Sequence, residues 1–169
     1  MQASKALVAA KDFPSGWKEV APEGSLADLQ PGGLPACQGA APPSDGLSDK
    51  LFVAYKPDGY VGIDLHGAVN EEVAPFYPGA AKLYLDTLLF QLGKCPTYNR
   101  VTYVRDGPPL GDQAVRFHTS NISYTADGVM VRVGDILIDV FQNYYGADGT
   151  DTVLLDHIAE QGVIHLRGG

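Results

Sequence analysis

The stretch from Val129 to Phe141, V-M-V-R-V-G-D-I-L-I-D-V-F, constrains the fold more than any other part of the chain. Two alternating runs flank Gly134-Asp135, and glycine at the first central position suits a two-residue type II′ hairpin. Pairing Val133 with Ile136 gathers Val129, Val131, Val133, Ile136, Ile138 and Val140 on one face. Six β-branched side chains on one pleated face make a core wall. The opposite face carries Met130, Arg132, Leu137, Asp139 and Phe141, with Arg132 and Asp139 diagonal across the ladder. One face must therefore be buried, and the other is neither wholly polar nor wholly apolar.

Around this hairpin the chain alternates short strand-like runs with turn signals. Ser4 is placed to cap a short helix over Lys5 to Lys11, and Trp17 to Val20 reads as a short strand. Residues 21–49 are rich in proline and glycine, a long irregular stretch that needs an anchor. Lys50 to Lys56 and Tyr60 to Leu65 read as strands joined at Pro57-Asp58-Gly59. Ala81, Leu85, Leu88, Leu89 and Leu92 form an apolar stripe at helical spacing, predicting a helix over about Gly79 to Leu92. Gly93 and Pro96 end it. Further strands are expected near Arg100 to Val104 and Gln113 to Thr119, and a last helix from Thr152 to Gln161, capped by Thr150 or Asp151 and stopped at Gly162. Strands joined by turns imply an antiparallel sheet. The expected fold is α+β, one domain over residues 1–169, with about five to six strands and helices packed on one face.

Composition narrows the function. The 169 residues suit one domain with a sizeable core, and 45% apolar with 19% charged content is ordinary for a globular protein. A net charge of −8 and a pI near 4.7 argue against binding nucleic acid through phosphate neutralisation, and against adsorption to an anionic membrane. No apolar run approaches the roughly eighteen residues of a membrane span, and Met1 to Lys11 lacks a signal-peptide pattern. Cys37 and Cys95 have no C-x-x-C partner, which makes zinc or thioredoxin-like chemistry a poor reading. They are either two buried thiols or a bridge that would stabilise the fold by about 4 kcal/mol in the chain-entropy model. A bridge would place the protein outside the cytoplasm.

Several segments together resemble the PknH-like extracellular sensor domain family, which comprises actinobacterial lipoproteins and the outer domains of some receptor kinases. The resemblance rests on L-V-A-A-K-D-F-P-S-G-W (Leu7 to Trp17), the helix leading into Cys95, L-G-D-Q-A-V (Leu110 to Val115) and the Val129 to Ile138 hairpin. It covers most of the chain through short, apolar motifs. It implies an antiparallel sheet flanked by helices, an extracytoplasmic location, a groove for a small ligand, and a Cys37–Cys95 bridge. The family's kinase sensor looks to have two disulfides, and this chain can make at most one. The family supplies no catalytic residues to carry over.

Few residues advertise chemistry. Asp64 and His66 share one face of a strand, and with His118 they could ligate a metal for a hydrolase if their strands were neighbours. The plainer reading, two surface or capped histidines, is preferred. Ala-Asp-Gly-Thr-Asp (147–151) lacks the terminal glutamate of a calcium loop, Gly111-Asp112 reads as a turn, and no nucleophile elbow, phosphate loop or H-E-x-x-H helix is present. Nine tyrosines offer amphipathic pocket linings. The candidate ligand-binding set is Arg132 with Met130, Leu137 and Phe141, a polar handle in an apolar groove; for Arg132 the plainer reading, a surface pair with Asp139, is favoured. The chain thus reads as a secreted or lipid-anchored domain, attached to the membrane only through an N-terminal anchor outside this sequence. It would bind a small molecule or lipid, or else a cell-envelope protein, without a cofactor, a metal or chemistry of its own. A hydrolase and a protein-interaction module are the alternatives.

Overall fold

A computed structural model describes residues 2–22, 47–58, 66–94, 101–104, 107–120, 125–144 and 151–168, with the backbone alone at 66, 91–94, 101–104, 119 and 120. Cys37, Cys95, Asp64, the expected strand Tyr60 to Leu65 and the Ala147 to Thr150 turn lie outside the described residues. Among those described, the strands are β1 (Trp17–Val20), β2 (Leu51–Pro57), β3 (His66–Pro75), β4 (Val101–Val104), β5 (Gln113–Ser120), β6 (Thr125–Val133) and β7 (Ile136–Tyr144). The helices are α1 (Ala80–Lys94) and α2 (Thr152–Arg167). The fold is α+β.

All seven strands form one antiparallel sheet in the order β1-β2-β3-β7-β6-β5-β4, somewhat larger than the five to six strands expected. The β6–β7 hairpin pairs Val133 with Ile136 as its alternation requires, and Gly134 takes the left-handed φ of +59° that the turn needs. Its six β-branched residues are all buried against Leu155, Ile158, Ala159, Val163 and Leu166 of α2. Burying each such aliphatic side chain stabilises the fold by roughly 1.5–3 kcal/mol.

The helices do not share a face. Met130, Leu137 and Phe141, on the opposite side of the hairpin, pack with Val115 and Phe117 of β5 against Ala81, Tyr84, Leu85 and Leu88 of α1. Each helix stripe demands its own apolar partner, and the sheet offers one on each side. The mixed second face is therefore a second core.

Two central elements depart from the pattern reading. β3 runs through H-G-A-V-N-E-E-V-A-P, where Asn70, Glu71 and Glu72 interrupt any alternation, yet all three are buried. A strand covered on both faces has no wet side to mark its period. α2 continues past Gly162 to Arg167 and ends at Gly168, a left-handed C-cap with φ of +86°. Gly162 lies inside the helix because the sheet comes too close for a side chain. A Cβ there would stand 2.9 Å from Glu71 Oε1 and 3.3 Å from the Ala6 carbonyl oxygen. Asp151 caps α2, its Oδ1 accepting from the Val153 and Leu154 amides at 3.1 Å each. The N-terminal segment makes two 3-10 turns, Ala3–Ala6 and Ala10–Asp12, instead of one helix, which leaves Val8 free to bond to the sheet.

Gly128 on β6 faces the buried ring of Phe117, and a Cβ there would fall 2.1 Å from Cζ. The Gly128→Ala protein should lose about 1–3 kcal/mol of stability from overpacking, read as a lower denaturant midpoint with unchanged slope.

Candidate functional site

Three carboxylates are buried on the two middle strands, β3 and β7: Glu71, Glu72 and Asp139. Strand register distributes them. Glu71 lies opposite Val140 and faces α2, whereas Glu72 lies opposite Asp139 and faces α1. An uncompensated buried charge is costly, so each carboxyl must find a partner or keep its proton.

Glu71 does some of both. Its Oε2 accepts from the Val8 amide at 2.8 Å, fastening the N-terminal segment over the sheet. Burial pushes its pKa from 4.5 up to about 8, with the Val8 bond pulling down and the Asp12 charge pushing up. Asp12 accepts from the Ala9 amide at 2.7 Å and stands 3.6 Å from His165 Nε2 on α2. Phe13 stacks on Trp17 at 5.1 Å and meets Tyr55 at 4.5 Å, so the Leu7 to Trp17 motif is anchored along its length.

On the α1 face, Lys50 Nζ lies 2.8 Å from Glu72 Oε1. Asp139 lies on the far side of Glu72, fully buried, and neither of its oxygens has a hydrogen-bond partner among the described residues. Burial drives its pKa well above the carboxylate range; the Glu72 charge adds to this and Lys50 opposes it.

The expected ligand set is arranged around this acid. Met130 is paired with Asp139 across the ladder, and Leu137 and Phe141 flank it on β7. All three side chains are occupied in packing against α1, so no open groove separates them from it. Arg132 does not pair with Asp139. Its Nη1 donates to the Gly134 carbonyl at 3.1 Å and to Asp112 Oδ2 at 3.3 Å, and the same carboxylate accepts from the Gly134 amide at 2.7 Å. Gly111-Asp112 is thus a turn, as expected, and it clamps the tip of the hairpin. Gly111 adopts φ of +62°, and a Cβ there would meet the Arg132 carbonyl at 2.4 Å.

Of the three candidate metal ligands Asp64, His66 and His118, only His118 has a described side chain. β7 and β6 stand between β3, which carries His66, and β5, which carries His118. Three strand spacings of ~4.8 Å put the two backbones about 14 Å apart. His118 is instead capped by a residue that sequence reasoning missed. Its Nδ1 lies 2.7 Å from Asp127 Oδ1, directly across the β5–β6 ladder. Tyr144 on β7 also bonds to Asp127, and burial followed by that carboxylate pushes the phenol up to about 12. Next to it, Gln142 Nε2 donates to the Gly67 carbonyl at 3.0 Å, bridging the irregular pairing at the start of β3. The imidazole side chain, held through Nδ1, remains 34% exposed.

With this geometry in place, the comparisons locate the fold. Neither a protein-family model nor a curated protein matches the chain. Among solved structures, the extracellular domain of PknH from Mycobacterium tuberculosis superposes with a TM-score of 0.62 at 17% identity, covering 98% of this chain and 95% of that one. A putative uncharacterized protein from Mycobacterium smegmatis, the Rv0999 ortholog, gives 0.59 at 16% identity, covering 99% and 97%. The chain has the fold of the PknH extracellular domain. The sequence resemblance therefore extends to three dimensions. Two segments that carry the PknH-like resemblance, Leu110 to Val115 and Val129 to Ile138, meet at the Asp112 clamp.

Glu71 gives this PknH-like fold a pH signature. Between pH 4.5 and about 8 the folded chain holds a proton at Glu71 that the unfolded chain has released. The stability it contributes is complete below 4.5 and lost as pH rises through 8. Melting should fall across that window by the equivalent of a few kcal/mol. In Glu71→Gln, which keeps the acceptor for Val8, the slope should flatten, with the gain greatest at the alkaline end.

Proposed function

We propose that this chain is an extracytoplasmic sensor or ligand-binding domain, a single unit over residues 1–169 and secreted or lipid-anchored. It recognises its ligand at the His118–Asp127–Tyr144 end of the sheet and has no substrate chemistry of its own. The fold shared with an extracellular domain supports the location. The observation that carries the site is the His118 imidazole, fixed by Asp127 at 2.7 Å yet a third exposed. Asp127 and the buried Tyr144 restrict the ring before any ligand arrives, so binding costs little ordering. Such a ring donates to or accepts from a polar group, while Tyr144 offers an apolar edge. The Met130, Leu137 and Phe141 face is a less suitable site, because a ligand there would have to displace α1.

The hydrolase alternative also draws on Asp64 and His66; Asp64 lies outside the described residues, and the His66 backbone begins β3, with β7 and β6 between it and β5. Gentle native mass spectrometry of the purified protein tests the proposal. The wild-type chain should carry a small-molecule or lipid adduct that His118→Ala, still folded by circular dichroism, retains at least tenfold less well. An adduct retained equally by both proteins would move the site elsewhere. A bare mass for both would favour a protein-interaction module of the cell envelope.

A further inference from the structure

The Lys50–Glu72–Asp139 row has a composition that ligand binding does not explain. An amine touches a carboxyl group that is wholly buried, and a second wholly buried acid, without a hydrogen-bond partner among the described residues, stands directly across the ladder from that carboxyl. Water is excluded by the α1 core, to which Leu137 and Phe141 beside Asp139 belong. Nucleophile, electrophile and proton carrier thus stand on neighbouring segments, Lys50 just before β2, Glu72 on β3 and Asp139 on β7. We propose that Lys50 and Glu72 form an intramolecular amide cross-link, with Asp139 as the acid that relays protons for its formation.

The step balances without an outside reagent. The Lys50 ammonium gives one proton to the Glu72 carboxylate that it contacts at 2.8 Å, leaving a neutral amine and a carboxylic acid. From that contact the nitrogen reaches the Glu72 Cδ within about 3.5 Å, the range of a near-attack arrangement. The Nζ–Cδ bond forms. The Cδ–OH bond then breaks as Asp139 protonates the departing hydroxyl, which leaves as water. Asp139 recovers its proton from the new amide nitrogen and ends as it began. The total charge of the three groups is zero before and after, so a dry site favours the product over the ion pair it replaces. Burial keeps Asp139 in the protonated form that the relay needs. The product ties Lys50, at the end of the proline-rich 21–49 stretch, to the middle of β3.

Intact mass under denaturing and reducing conditions, followed by a tryptic map, decides the matter. The purified chain should be lighter than its sequence mass by one water. The map should lack cleavage after Lys50 and contain a branched peptide joining Lys50 to Glu72. Lys50→Arg keeps the charge without the amine, and should return the full mass for its sequence while folding by circular dichroism. Asp139→Ala should do the same. A wild-type chain at full mass overturns the cross-link. So does a water deficit that maps to one of the Asp-Gly pairs, such as Asp127-Gly128, and reopens in mild alkali as a succinimide would. A folded Asp139→Ala chain that still carries the branched peptide overturns the relay.

Discussion

Everything in this molecule depends on the sheet being covered on both faces. A strand with helices above and below has no solvent side, so β3 and β7 cannot obey the apolar-in, polar-out rule that governs half-buried strands. Polar residues placed there are enclosed, and three carboxylates share that enclosure. Each is resolved differently. Glu71 uses a backbone amide and a raised pKa, Glu72 an ammonium, and Asp139 retention of its proton. Buried polar groups of this kind are retained at a cost in stability, and they hold the N-terminal segment and the residues before β2 in register with the middle of the sheet.

The same constraint explains which parts of the fold the sequence made legible. The β6–β7 hairpin was readable because six β-branched residues mark one face and Gly134-Asp135 marks the turn. α1 was readable from its 3.6-residue stripe. β3 was hidden because Asn70-Glu71-Glu72 looks like a solvated loop unless both faces are known to be covered. The placement of α1 was available in principle: Met130, Leu137 and Phe141 need an apolar partner, and the Ala81, Leu85 and Leu88 stripe needs an apolar surface. Gly162 shows the limit of local rules. A glycine after a periodic run reads as a stop signal, but Val163 and Leu166 continue the period of Leu155 and Ile158, and the glycine is there for close approach to Glu71.

The site residues were less legible than the fold for a related reason. His118 and Asp127 are nine positions apart, and only the β5–β6 register brings them opposite each other. Arg132 and Asp139 lie diagonally in the hairpin and invite pairing, yet Asp112 from the loop before β5 captures the arginine. Charge complementarity within a hairpin is thus a weak guide when a third segment docks on its tip. The Gly111-Asp112 turn within the Leu110 to Val115 motif is that third segment.

The two ends of the sheet then do different work. At the hairpin tip Asp112 joins Arg132 and the Gly134 amide, and under α1 Lys50 pairs with Glu72, so these polar contacts hold segments together. At the opposite end, His118 is paired with Asp127, which also bonds to Tyr144, and its side chain is a third exposed and belongs to neither core cluster. The buried acids Glu71, Glu72 and Asp139 are thus separated along the sheet from the partly exposed imidazole, which has the β3 irregularity and its Gln142 bridge beside it.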